Sequence, residues 1–118
     1  MQQQVLLGLR QTYQHQGDLW EFPGGKVELN ETTYDTLLRE IEEEVGLQIT
    51  VAEPLIKVSH DYSDKSVILD VWLVKGYSGV PVGQEGQRLR WCDIADLEDN
   101  DFPAANVAII QALKLRVK

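Results

Sequence analysis

A single cysteine, Cys92, leaves this 118-residue chain without an intramolecular disulfide or a thiolate metal cluster. It alternates with apolar neighbours, so a buried, inert thiol is expected. No apolar run approaches the roughly 20 residues that cross a bilayer, and no leader pattern is visible. The expectation is a cytoplasmic protein with no membrane partner. Basic residues are scarce: 11 Lys and Arg stand against 19 Asp and Glu, for a formal net charge of −8. That balance argues against a nucleic-acid polymer as partner. It leaves a free nucleotide admissible, because bound cations reverse the local field. Repeats, linkers and low-complexity tracts are absent, so residues 1–118 read as one domain with one core.

What the chain does have is concentrated acid. Seven acidic residues fall between Glu28 and Glu44, against one base, Arg39. Thr32 or Thr33 offers a side-chain oxygen to start a helix, with Asp35 in its first turn. Leu37, Leu38, Ile41 and Val45 supply an apolar face, and Gly46 suits the left-handed residue that ends a helix. On that helix Glu40, Glu43 and Glu44 stand at i, i+3 and i+4, so their carboxylates share a face. Like charges that close repel each other unless cations sit between them. Oxygen-only ligands suit hard ions, Mg²⁺ above all where a substrate brings phosphates. Glu42 points elsewhere and is read as solvated. Arg39 lies near Glu43 and within reach of Glu31 through the loop.

The remaining elements are read from alternation and turn chemistry. Val5 to Arg10 reads as a strand, residues 11–18 as a polar loop, and Leu19 to Phe22 as a short extended piece. Leu47 to Val51 and Leu55 to Tyr62 read as two strands parted by Pro54. Ser63-Asp64-Lys65 is a turn, and Ser66 to Tyr77 a long strand pairing back. Gly79 to Gly86 is a loop, Arg88 to Cys92 a strand, and Asp93 to Asp101 irregular. Pro103 suits a first helical position, with a second helix over Ala104 to Val117 and Val107, Ile110 and Leu113 to Leu115 on its apolar side. Trp20, Trp72 and Trp91 are expected in the core. His15 and His60 lack metal-ligand spacing and read as structural or surface residues. The class is α/β.

Gly25, Glu31, Arg39-Glu40-Ile41, Glu43-Glu44 and Gly46-Leu47 together resemble the Nudix box of the Nudix hydrolases. The likeness continues through Trp20-Glu21-Phe22-Pro23-Gly24-Gly25, Gly83-Gln84-Glu85-Gly86-Gln87 and Asp101-Phe102-Pro103-Ala104-Ala105-Asn106, which look like the MutT branch. The resemblance implies a mixed, curved β-sheet sandwiched between helices. It implies Mg²⁺, with Mn²⁺ able to substitute, held by Glu40, Glu43, Glu44, Glu85 and the Gly24 carbonyl. It places Asn106 and Phe22 on the base and Arg10 at the substrate. It also implies an additional strand before Val5, where only Met1-Gln2-Gln3-Gln4 stands here. The fold is therefore expected without that strand, as a monomer or a weak homodimer through the open sheet position.

The reaction so implied is hydrolysis of 8-oxo-dGTP, and of dGTP, to the monophosphate and pyrophosphate, which sanitises the nucleotide pool for DNA replication and repair. Glu40 is the first choice of base, with Glu44 and Glu85 as alternatives and Arg39 beside them. Two other readings stand: a Nudix hydrolase of another nucleoside diphosphate derivative, and a non-catalytic module that recognises 8-oxoguanine. Retention of Glu40, Glu43 and Glu44 weighs against the second.

Overall fold

Leu6, half-buried, and Leu7, fully buried, are neighbours on the first strand and pack on opposite sides of one sheet. A computed structural model describes residues 3–13 and 17–116. The first strand, β1 (Gln4–Leu9), lies between β2 (Trp20–Glu21) and β5 (Leu89–Asp93), antiparallel to both. Alternation along β1 sends Leu7, fully buried, towards Ile109, Ile110 and Leu113. It sends Leu6 towards Ile41, Val45 and Leu47. The first group includes residues of α2 (Val107–Arg116), and the second includes residues of α1 (Thr33–Val45). The sheet is thus covered by one helix on each face. His15, and the residues preceding Gln3 where the extra strand would join, lie outside the described residues.

Two long strands, β3 (Gln48–Asp61) and β4 (Ser66–Ser78), form an antiparallel hairpin and a second sheet. All the described pairings are antiparallel, in two sheets. Pro54 does not part β3 into two strands. The ladder shifts register between Ile49 and Val51, between Val51 and Ala52, and between Pro54 and Ile56. Such bulges absorb a residue that cannot donate to the ladder. Among the described residues the second edge of β4 pairs with no strand.

Helix α1 follows its sequence signals closely. Thr32 is the N-cap: its hydroxyl accepts from Asp35 N–H at 3.0 Å, and the Asp35 carboxylate accepts from Thr32 N–H at 3.1 Å. Gly46 closes the helix at φ 72°, which a side chain would resist. The second helix departs from expectation. Ala104–Asn106 form a 3₁₀ turn after Pro103, and the α-helix begins only at Val107. Its buried side chains are Ile109, Ile110 and Leu113, whereas Leu115 is exposed. The acidic segment is also more ordered than expected, with 3₁₀ turns at Ile94–Asp96 and Asp99–Asp101. Cys92 is buried, as its alternation implies. Trp91, expected in the core, is instead 42% exposed and stacks on Tyr77 at 6.3 Å.

Candidate active site

An open cleft of about 1720 Å³ runs from the acidic face of α1 to the turn before α2. Glu21, Gly25, Glu40, Glu44 and Glu85 line its acidic end. Phe22, Tyr62, Pro103, Ala105 and Asn106 line the other. The volume exceeds that of an ordinary small-ligand pocket, because the cleft also runs along β4.

Glu44 is the buried carboxyl of the acidic end, 9% exposed. It accepts a hydrogen bond from Gly24 N–H at 3.2 Å. Burial, and next the charges of Glu21 and Glu40, push its pKa up to about 8, with a smaller contribution from Glu85. Burial and crowding by like charges thus both favour the protonated form of Glu44. Burial likewise raises the Glu21 pKa, against the pull of the Arg10 guanidinium paired with it. Glu40 packs so closely on Gly25 that a Cβ there would overlap its carboxylate. The second glycine of the pair thus leaves room for the acid itself.

Arg39 organises the rim. Its Nε donates to Glu31 Oε2 at 2.6 Å and its Nη2 to Glu31 Oε1 at 2.9 Å. Nη2 also donates to the Lys26 carbonyl at 3.0 Å, and Nη1 reaches Glu40 and Glu43. These bonds, the Glu31 pair first, hold Glu31 down to about pKa 2 and raise that of Arg39. Thr36, buried on α1, donates a further bond to Glu31 at 3.0 Å.

Glu85 comes from a distant segment. The loop after β4 is pinned to the end of α1 by Val82 N–H to the Val45 carbonyl at 3.0 Å and Gln84 N–H to the Glu44 carbonyl at 2.9 Å. Gln87 adds a third bond, from its side-chain amide to the Glu44 carbonyl at 3.1 Å. The carbonyls at the end of α1 thus find their acceptor role in this loop. Glu85, exposed on it, adds its field to that of Glu44.

The structure brings Glu40, Glu44 and Glu85 to one end of the cleft and leaves Glu43 on the exposed rim beside Arg39. Among the described residues no three acidic groups are already converged as a ligand set. Gly24 turns its N–H towards Glu44. The donor set nevertheless fits a hard divalent cation: several carboxyl oxygens crowd one site, and their mutual repulsion favours positive charge between them. At the other end, Phe22 stacks on Phe102 at 5.3 Å, and Asn106 is half-buried on the cleft wall. Arg10 is at the cleft but paired with Glu21. Glu21 was not singled out by sequence reasoning. No local signal marks it, because its burial and its closeness to Glu44 arise only in the folded chain.

The NUDIX domain family matches residues 1–112. The chain is 35% identical over 111 residues to the 8-oxo-dGTP diphosphatase of Escherichia coli K12, covering 94% of this chain and 86% of that one. It is 32% identical over 108 residues to the CTP pyrophosphohydrolase of the same organism, covering 92% and 80%. A solved MutT structure, from an analysis of the Aliivibrio salmonicida and Vibrio cholerae proteins, superposes with a TM-score of 0.78 at 36% identity, covering 95% of this chain and 86% of that one.

Proposed function

The chain belongs to the Nudix family, and from that premise we propose that it hydrolyses 8-oxo-dGTP to 8-oxo-dGMP and pyrophosphate. One observation carries the reading: a buried Glu44 among Glu21, Glu40 and Glu85 shares a cleft with Phe22 and Asn106. The first group suits a polyphosphate with its cation, and the second suits a flat polar base.

Glu40, Glu43, Glu44, Glu85 and the Gly24 carbonyl would hold Mg²⁺, or Mn²⁺ in its place. Bound there, the cation would neutralise phosphate oxygens and acidify water. Arg39 holds Glu40 in place, so that Glu40 receives the proton of the attacking water. The water oxygen bonds to the β-phosphorus, and the α–β bridging oxygen leaves with the monophosphate. Phosphoryl transfer asks chiefly for positioning and charge stabilisation, so no nucleophilic side chain is needed. Phe22 offers its ring to the base, and Asn106 offers both a carbonyl acceptor and an amide donor. Arg10, released from Glu21, would meet the nucleotide.

The CTP pyrophosphohydrolase among the relatives makes another nucleotide the nearest competing substrate. A turnover screen of 8-oxo-dGTP, dGTP and CTP with Mg²⁺, with products resolved by chromatography, tests the reading. The highest kcat/KM is expected for 8-oxo-dGTP, with pyrophosphate released. Preference for CTP transfers the chain to the competing substrate, and binding of 8-oxoguanine nucleotides without turnover makes it a recognition module. The edge of β4 that pairs with no strand among the described residues supports a weak homodimer over a strict monomer. Light scattering across a concentration series would show a constant monomer mass if that edge stays unused.

A further inference from the structure

The turn that carries Asn106 is tied to the opposite hairpin by a tyrosine hydroxyl. Tyr62 lies just past the end of β3, where its N–H closes the β3–β4 turn on the Lys65 carbonyl at 2.7 Å. Its hydroxyl accepts a hydrogen bond from Ala105 N–H at 2.8 Å, across 43 positions of sequence. Ala105 is the middle residue of the Ala104–Asn106 3₁₀ turn. The first internal bond of that turn, Asn106 N–H to the Pro103 carbonyl at 2.9 Å, leaves the Ala105 N–H with no acceptor inside it. Pro103 supplies no side-chain cap. Ala105 is 3% exposed, so water is a poor substitute partner. The Tyr62 ring is itself set edge-on against His60 at 4.6 Å, which fixes where the hydroxyl stands.

We infer that Tyr62 is a positioning residue for base selection: its hydroxyl holds the Ala104–Ala105 peptide, at the start of the turn that carries Asn106, and so aims that side chain into the cleft. The inference rests on the proposed reading that Asn106 addresses the base. Selection demands a fixed angle, since an amide that turns can satisfy either a donor or an acceptor on the nucleotide. The helix behind the turn holds its far end through Ile109 and Ile110, both buried. The near end has the Tyr62 bond. Tyr62, Phe22 and Asn106 line the same cleft, and the hydroxyl meets the turn before α2.

The test is Tyr62→Phe, which keeps the ring and removes the acceptor. The ratio of kcat/KM for 8-oxo-dGTP to that for dGTP should fall about 10-fold, the size expected when one buried donor loses its partner. The change should appear in KM and in the Kd of 8-oxo-dGMP measured without metal. Saturated kcat and the Mg²⁺ dependence should stay as in the parent. The decisive comparison is the Asn106→Ala background, where adding Tyr62→Phe should leave the ratio unchanged. A ratio that falls in Asn106→Ala but not in Tyr62→Phe overturns the positioning role and spares the base reading. Equal, additive losses in both backgrounds overturn it as well. No change in Asn106→Ala alone removes both the base reading and this inference.

Discussion

Arg39 grips Glu31 with two parallel bonds, 2.6 and 2.9 Å, so the loop that carries Glu31 is clamped to the helix that carries the acids. A forked guanidinium makes that grip and a lysine does not. Arg39→Lys should therefore weaken Mg²⁺ affinity by roughly 10–100-fold, the range seen when a group that orients metal ligands is lost. Titration of turnover against Mg²⁺ measures it, and an unshifted midpoint would show that the clamp does not orient the site. The same pair sets the acid limit. Glu31 is held down to about pKa 2, so its contribution is complete above its ordinary value of 4.5 and is lost as pH falls towards 2. Glu31→Gln should flatten that acid limb in thermal melts.

Glu44 acts in the opposite sense. Its pKa rises in the fold from 4.5 to about 8, so the folded state binds the extra proton. Its contribution to metal-free stability is complete below about pH 4.5 and is lost as pH climbs through about 8. Glu44→Gln should remove this slope and melt higher than the parent in EDTA at the alkaline end. It should also lose roughly 10³-fold in turnover, about 4 kcal/mol at the transition state. Near-parent turnover in saturating Mg²⁺ would take Glu44 out of the mechanism.

Asn106→Ala separates base selection from phosphate chemistry. Oxidation at position eight converts guanine N7 from an acceptor to an N–H donor, which an Asn carbonyl meets and normal guanine does not. A site built on such bonds discriminates by up to roughly 10⁴-fold when several combine. The variant should lose much of that preference while Mg²⁺ dependence holds. The ratio of kcat/KM values for 8-oxo-dGTP and dGTP decides the matter; an unchanged ratio makes Asn106 an ordinary turn residue.

Phe102 supports Phe22 from below, 5% exposed with its ring stacked at 5.3 Å. Phe102→Ala should cost about 3–5 kcal/mol of stability by opening a cavity in the core. Phe22→Ala, at the half-buried cleft wall, should cost less stability and more nucleotide affinity. Denaturant melts alongside 8-oxo-dGMP binding distinguish the two, and equal losses in both assays would count against the division of labour.

The parts legible in the sequence are those fixed by local chemistry. Thr32, Asp35 and Gly46 bound α1 because caps act within a few residues, and Arg39 to Glu31 is a short reach. Pro54 reads as a break in the sequence because the bulges that accommodate it depend on β4, which lies across the hairpin. The start of α2 shifted to Val107 because a 3₁₀ turn and an α-helix begin with the same Pro-Ala signal. Glu21 gained its role from burial beside α1, a tertiary fact that a two-residue strand does not announce. The Tyr62 bond to Ala105 is likewise invisible until the hairpin has folded.

Surface loops ordinarily absorb insertions and deletions with little penalty. The loop after β4 is different, because Val82 and Gln84 are fastened to consecutive carbonyls at the end of α1. It works as a ruler with fixed graduations, and Glu85 stands between the Gln84 fastening and that of Gln87, whose side-chain oxygen also accepts from Glu85 N–H at 3.0 Å. Its length should therefore be as constrained as its composition: one residue added between Gly79 and Val82 leaves both fastenings intact, whereas one added between Gln84 and Glu85 moves the acid off its mark.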